Sequence, residues 1–428
     1  MLTPIKNTLL VSNDPKLLED VSRFFTPSEH LTFIDFHNGA EYIAVHVPDL
    51  IILDFTDWEE GFNFIDEILE DPWLHHQSII TLNRNIEYTH SMKSSTKVNI
   101  LSTIPRITLN QELSSLLTIL RENSALLYNR VPYSNLSQEL SGTLILNNSL
   151  CEIEIAVNLI GAFLYNTGRI DIHGRNSLSM GLTELLVNAL EHGNLGITFE
   201  AKRDHLERGG RMSELIEQQL QDSYKARRKI RIKYHINSNQ SVFTIADEGQ
   251  GFPSQTYLEA EANFDNFLGV SGRGIIMAQT AFTSLVYSNK GSVVTTTVTH
   301  QEPESNAIPL LFHDGKVITL KAGETLIKNL NNNENIYFIS KGQFGLYQKR
   351  EEIMHFSADD LFIGHSPFHT TQLLPQSVKA VVPSTVVMLT KKQFSIVIRK
   401  LPHYALFLAR FINHSSFYKA VYANNKEK

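Results

Sequence analysis

The sequence predicts a multidomain protein that mixes α/β and α+β parts: a doubly wound sheet, an α/β sandwich with an antiparallel sheet, and a C-terminal β-roll with helices. Three observations predict it. The first 120 residues alternate apolar strand-like runs with helical spacing. The middle of the chain pairs long amphipathic helices with strands joined by short polar turns. From about residue 303, short strand-like segments recur between Gly- and Asn-rich turns. At 428 residues the chain is too long for one ordinary core.

The N-terminal strands are expected at Thr8–Ser12, Leu31–Phe36, Asp49–Phe55, Ser78–Leu82 and Val98–Ser102, with helices at Pro15–Phe25, Phe62–Leu69 and Gln111–Leu120. Runs such as DLIILDF are apolar throughout, as strands buried on both faces of a parallel sheet must be. Residues 108–135 read as a helix and then a break at Pro132, and are taken as a connector. Thr143–Leu146, Lys229–Ile236, Ser241–Ala246, Ser284–Ser288 and Gly291–Thr299 read as the strands of the middle part. Its helices are Ile153–Leu164, Leu178–His192 and a start at Ile275–Ala281. The last part has strand-like segments at Lys316–Lys321, Ile336–Ser340, Gly345–Lys349 and Ser384–Thr390, then helices near 392–400 and 403–420. The boundaries expected are 1–122, a linker at 123–139, 140–302 and 303–428.

Composition narrows the function classes. The chain is 42% hydrophobic and 19% charged, with a net charge of −7, which argues against nucleic acid as a direct partner. The basic run Lys225–Lys233 alternates with apolar residues as a strand with one solvated face would. The single cysteine, Cys151, excludes a disulfide framework or a cysteine metal site and reads as a packing residue. No apolar run approaches the roughly 18–20 residues that cross a bilayer, and MLTPIKNTLLV is not a signal pattern. A cytoplasmic location without membrane contact is the expectation.

The chemistry concentrates in three segments. In ELLVNALEHGN (Glu184–Asn194), Glu184, Asn188 and His192 stand at i, i+4 and i+8, so a continuous helix puts them on one face. Leu182, Leu185, Leu186 and Ala189 lie opposite and can pack on a sheet. Asn188 offers the oxygen a hard cation accepts beside phosphates, and Glu184 is placed to polarise a hydroxyl. Taken alone, the stripe reads equally as a solvated polar face. In DEGQGFP, Asp247 ends a strand as an acceptor suited to an amino group, and Gly249 and Gly251 let the backbone turn. In GVSGRGI (Gly269–Ile275), glycines precede a helix start, where free N–H groups favour phosphate, and Arg273 can pair with it.

The order of these segments resembles the N box and two G boxes of Bergerat-type ATPases. More narrowly it is similar to the anti-sigma-factor serine/threonine kinases. The resemblance covers about 160 residues. It implies ATP and Mg²⁺ as cofactors and Glu184 as catalytic base. It implies Asn188 as Mg²⁺ ligand and Asp247 as the adenine-binding carboxylate, with Gly249 and Gly251 beside it. Gly272, Arg273 and Gly274 become the phosphate loop, and His192 joins the cofactor-binding set. It also implies phosphoryl transfer to a Ser or Thr of a STAS-type anti-anti-sigma partner, a possible sigma-factor contact and a possible homodimer. Histidine-kinase chemistry is disfavoured because residues 106–150 contain no histidine. An ATP-gated binding switch without transfer is the alternative. One departure is the length of Leu195–Arg228, where Leu206–Gln221 reads as an amphipathic helix interrupted at Gly209–Gly210.

The flanking parts resemble families whose key residues are altered here. The first is similar to response-regulator receivers, with Asp54 in the phosphoacceptor position. The metal-binding acidic pair falls on Ser12 and Asn13, with Asp14 one place late. The hydroxyl position falls on Asn83 and the lysine position on Ile104. A degenerate receiver used for protein contacts is expected. The last part resembles the cyclic-nucleotide-binding β-roll, with Gly323 and Gly342 at turns. His365 stands where the ribose-binding Glu is expected, and the phosphate-binding Arg position falls near Gln376, with Lys379 nearby. A non-binding regulatory or dimerising domain is expected.

Overall fold

Strand runs that are apolar on both faces can only pair in a sheet covered on both sides, and the N-terminal segments do so. The computed structural model describes residues 5–46, 48–70, 74, 77–84, 98–127, 139–251, 278–300, 308, 310–330, 333–357, 362–363 and 376–400. Strands β1 (Asn7–Val11), β2 (His30–Ile34), β3 (Leu50–Asp54), β4 (Ile79–Asn83) and β5 (Ile100–Pro105) form a parallel sheet in the order β2-β1-β3-β4-β5. That is a doubly wound, flavodoxin-like order. Helix α1 (Pro15–Ser22) starts at an Asp14 cap with proline in its first turn. Helices α2 (Phe36–His46) and α3 (Trp58–Glu70) pack against each other, and the cluster of Phe36, Ile43, Phe64, Ile65 and Ile68 lies with Leu9, Ile51 and Leu53 of the sheet.

Helix α4 (Leu109–Glu122) corrects the connector expectation. It buries Leu113, Leu116, Leu117 and Leu120, all in one cluster with Leu10, Ile52 and Leu82 of the first sheet and with Ile155, Leu159 and Ile160 of helix α5 (Leu150–Asn166). Asn158 of α5 donates to the Leu101 carbonyl of β5 at 2.8 Å, Ser115 of α4 donates to Glu152, and Tyr234 donates to Asn123 at 3.3 Å. A helix with leucines at 113, 116, 117 and 120 has an apolar stripe wide enough to need a partner on its whole face. The first sheet and the middle part therefore share one hydrophobic core.

The second sheet is antiparallel: β6 (Leu140–Leu146), β7 (Ile230–Ile236), β8 (Gln240–Ala246), β9 (Ser284–Ser288) and β10 (Val293–Thr299), ordered β6-β7-β8-β10-β9. Alternation is clean on β7: Ile230, Ile232, Tyr234 and Ile236 are buried while Arg231 and Lys233 are exposed. The buried face packs on α5 and α6 (Ile172–Asn188), with Leu182, Leu185 and Leu186 joining Ile232, Phe243 and Ile245. The interruption expected at Gly209–Gly210 falls between α7 (Phe199–Glu207) and α8 (Met212–Leu220), where Gly209 takes φ +81°; the helical stretch starts before the expected Leu206, and the short α9 (Ser223–Arg227) follows.

The last part is a β-roll of two four-stranded antiparallel sheets. β11 (Lys316–Leu320), β18 (Ser384–Thr390), β13 (Asn335–Lys341) and β16 (Phe362–Ile363) form one. β12 (Thr325–Ile327), β17 (Gln376–Ala380), β14 (Gln343–Gln348) and β15 (Glu351–Ser357) form the other. Phe344, Leu346, Phe356, Val378 and Val386 fill the space between them. Helix α10 (Lys391–Lys400) follows β18. The expected helix at 403–420 lies outside the described residues. Among the described residues, no helix is long and apolar enough to cross a membrane.

Candidate functional site

Helix α6 carries Glu184 and Asn188 one turn apart, both half-buried, while Leu185 and Leu186 turn into the core. At Asn188 the α-helix ends and a π-helical turn, Ala189–Asn194, begins. The wider turn breaks the 3.6-residue spacing that placed His192 in line with Glu184 and Asn188. His192 instead bonds through Nδ1 to the Ile197 carbonyl at 2.6 Å, and burial lowers its pKa below the usual imidazole value. Glu191, 3% exposed, pairs with Lys202 of α7 at 2.6 Å. The long stretch after the N box is thus tied to the N box itself.

The π turn meets the end of β8. A Cβ on Gly193 would fall within 3.0 Å of the Asp247 carboxylate, and one on Gly249 within 3.0 Å of the Gly193 backbone. A side chain on Gly249 would meet backbone and one on Gly193 would push the Asp247 carboxylate aside, so glycine in both segments permits their contact. Gly251 takes φ +77° with its Cα against the Lys290 carbonyl, which also requires glycine. Asp247 accepts from Gly249 N at 2.8 Å, and its own N–H donates to Ser292 O at 3.1 Å. Desolvation pushes the Asp247 carboxyl up to about 6, against the lowering effect of its backbone hydrogen bonds and of Arg228.

The expected phosphate-loop residues Gly272, Arg273 and Gly274 lie outside the described residues. Gly181 on α6 is so close to Ala281 and Phe282 that a Cβ there would come within 3.0 Å of both. The chain that follows the glycine segment therefore returns to the N-box helix. Sequence reasoning missed Asn148, Asn194 and Arg228, which surround the Asp247 turn. The only sequence signal for Asn194 is its place directly after His192–Gly193. A groove of about 420 Å³ on the open face of the second sheet, lined by Ser141, Thr143, Lys233, His235, Val242 and Thr244, contains none of these residues.

The Asp54 cluster departs from its expectation in an informative way. Asp54, 4% exposed, accepts from Ser12 Oγ at 2.6 Å, Thr56 Oγ1 at 2.8 Å and Arg106 Nη2 at 2.8 Å. Arg106 also reaches Asp14 at 3.1 Å and holds that carboxyl below the usual range. The cation missing at Ile104 is supplied two residues later, by Arg106 after Pro105. Asn83 is buried but bonds only locally, through Oδ1 to Arg84 N. Among the described residues, no group of three or more His, Cys, Asp or Glu could hold a metal. Cys151 is half-buried beside Glu112, and desolvation pushes its thiol up to about 12. In the β-roll, Gln376 is buried and donates to Gln348 at 3.3 Å, while Lys379 stacks 5.1 Å from the Tyr347 ring. His365 lies outside the described residues.

With this geometry in place, two segments match known family models. Residues 156–298 match the model of the histidine kinase-like ATPase domain, and residues 317–400 match that of the cyclic nucleotide-binding domain. The chain therefore carries a GHKL-type ATPase domain followed by a cyclic-nucleotide-binding-like domain, a pairing that marks a signalling regulator. No curated protein matches the chain. Similar solved structures include the Thermus thermophilus catabolite activator protein, at 16% identity over 24% of this chain and 53% of that one, with a TM-score of 0.21. Another is the sensor domain of the transcriptional regulator DNR from Pseudomonas aeruginosa, at 15% identity over 24% of this chain and 73% of that one, TM-score 0.21. CooA from Carboxydothermus hydrogenoformans is 14% identical over 23% of this chain and 62% of that one, TM-score 0.18. The chain thus spans about half the length of the Thermus protein.

Proposed function

We propose that the chain is an ATP-dependent serine/threonine protein kinase of the anti-sigma type, acting on a STAS-type partner. The observation that carries the reading is the mutual contact of Gly193, Asp247 and Gly249, which sets an adenine-suited carboxylate against the end of the helix bearing Glu184 and Asn188. In the proposed step the bond between the γ-phosphorus and the β-phosphate bridging oxygen breaks, and a bond from phosphorus to the partner's hydroxyl oxygen forms. Glu184 takes the hydroxyl proton, and ADP leaves. Asn188 would hold Mg²⁺, whose charge offsets that of the phosphates. The donor set fits, since Asn188 is half-buried on the same helix face as Glu184.

The N-terminal sheet is read as a receiver-like domain in which Arg106, two residues after the lysine position at Ile104, supplies the cation beside Asp54. Asp54 is then a structural carboxylate rather than a phosphoacceptor. The C-terminal roll is read as regulatory without a cyclic nucleotide, since no arginine stands at Gln376.

The test is transfer of label from γ-labelled ATP with Mg²⁺ to STAS-type proteins of the same genome, with Glu184→Gln in parallel. Label on a partner Ser or Thr that vanishes in the variant supports the kinase. Nucleotide binding without label in any pairing favours the second reading, an ATP-gated protein switch. The core shared by α4, α5 and the first sheet supports that alternative, because it offers a route from nucleotide to the N-terminal domain.

A further inference from the structure

The ladder of β8 ends at Ala246, which pairs with Arg231 on one side and Val293 on the other. Beyond it, the position of the Asp247 turn depends on individual contacts. Asp247 N–H donates to Ser292 O, and Glu248 N–H donates to Asn194 Oδ1 at 2.8 Å. Asn194 is the last residue of the π turn and is 0% exposed. Its Nδ2 donates to Asn148 Oδ1 at 2.8 Å. Asn148, 6% exposed, donates in turn to the carbonyls of Lys225 at 2.9 Å and Arg228 at 3.1 Å. Arg228 Nη1 closes the ring on the Asn194 carbonyl at 2.6 Å.

Two buried amides therefore join four segments: the N-box end, the turn after β8, the β6–α5 loop and the end of the inserted helices. A buried amide with its oxygen and nitrogen both engaged holds its partners at fixed separation, because leaving any of those groups unpaired away from water is costly. Among the described residues, the hydrogen bond of this ring that reaches the turn is made one residue from Asp247, whose carboxyl pKa Arg228 also lowers; Glu248 is held as well through its own carboxylate by Lys229 N–H at 3.2 Å and Arg231 at 2.7 Å.

We propose that Asn194 is the positioning residue for base recognition: it fixes the Asp247 carboxylate against the N-box helix and so sets discrimination for a purine bearing an amino group at C6. The inference rests on reading Asp247 as the adenine acceptor. It also gives the 195–228 stretch a role, since Arg228 and Lys225 anchor the ring from that side.

The experiment compares Mg²⁺-ATP with Mg²⁺-ITP, which lacks the C6 amino group, by calorimetry on the full chain. Wild type is expected to favour ATP by about tenfold or more, the effect of one hydrogen bond to a charged acceptor. Asn194→Ala is expected to bring ATP affinity to within about twofold of ITP affinity while leaving ITP binding unchanged. A merely structural loss would weaken both nucleotides alike and preserve their ratio, and that result overturns the role of Asn194. Asn148→Ala leaves the Glu248 bond in place but frees the Asn194 amide. It should lower the ratio in the same direction, and it carries the test if Asn194→Ala does not fold. Equal wild-type affinity for ATP and ITP overturns the Asp247 reading first, and the role of Asn194 with it.

Discussion

Replacing Arg106 with methionine keeps the aliphatic stem and removes the guanidinium that neutralises Asp54. The Asp54 side chain is 5% exposed and its partner 29%, with Nη2 at 2.8 Å. Removing one partner of a buried pair leaves an uncompensated charge at a cost of about 3–5 kcal/mol. Asp54 keeps its bonds from Ser12 and Thr56, which moves the expectation to the low end, about 3 kcal/mol. The Asp14 contact adds little, because that carboxylate is 40% exposed. Trp58 and Trp73, the chain's two tryptophans, both lie in the first 122 residues, so their fluorescence reports on this part alone. Urea titration of the full chain should show the tryptophan transition of Arg106→Met lowered by about 1 M or more. The double variant Arg106→Met/Asp54→Asn should recover most of the loss, since the unpaired charge is gone. A single variant within about 0.5 kcal/mol of wild type would refute the argument that Arg106 neutralises a buried carboxylate. So would a double variant as unstable as the sum of the two singles.

If Asp247 is the adenine acceptor, as proposed, ATP affinity is expected to depend on pH. Its carboxyl is raised to about 6, so the ionised acceptor is present above that pH and lost as pH falls through it. Affinity at pH 5 should be about tenfold below that at pH 7.5, beyond any change seen in Asp247→Asn, measured by calorimetry. The same shift has the opposite sign for stability: the apo protein loses stability from this group as pH rises from 3.8 towards about 6. Lys202→Met strands the 3%-exposed Glu191 and should cost about 3–5 kcal/mol, read as earlier thermal unfolding, whereas Lys202→Met/Glu191→Gln should recover much of it. Gly249→Ala should abolish nucleotide binding in a folded protein, because its Cβ meets the Gly193 backbone; binding at wild-type strength would refute that contact. Cys151, with its thiol pushed up to about 12, should resist alkylation at pH 8 in the native state and react once the chain is unfolded.

Hydrophobic period carries through any fold that respects it, and it was enough for strands such as β3 and β7, while α2 and several β-roll strands were not expected. The buried run DLIILDF became the central strand β3, and the alternation of Lys229–Ile236 became a strand with one exposed face. Gly249 and Gly251 are legible as permissive positions, but only the tertiary structure shows that Gly193 and Gly249 allow the N-box end and the Asp247 turn to touch. Helical spacing placed His192 with Glu184 and Asn188. The π turn at Ala189–Asn194 moved it to the Ile197 carbonyl.

The sequence by itself determined three kinds of architecture, the amphipathic faces and the candidate chemistry at Glu184, Asn188 and Asp247, because these depend on residue type and local period. Tertiary structure decided what lies between segments distant in the chain. It turned the helix of the 108–135 segment, read as a connector, into shared core, because four leucines on one face had to be buried against something the linear pattern does not name. It brought Arg106 to Asp54 across 52 positions and Asn194 to Glu248 across 54. Charges and amides pair by proximity in space, and only the folded chain fixes which of them are neighbours.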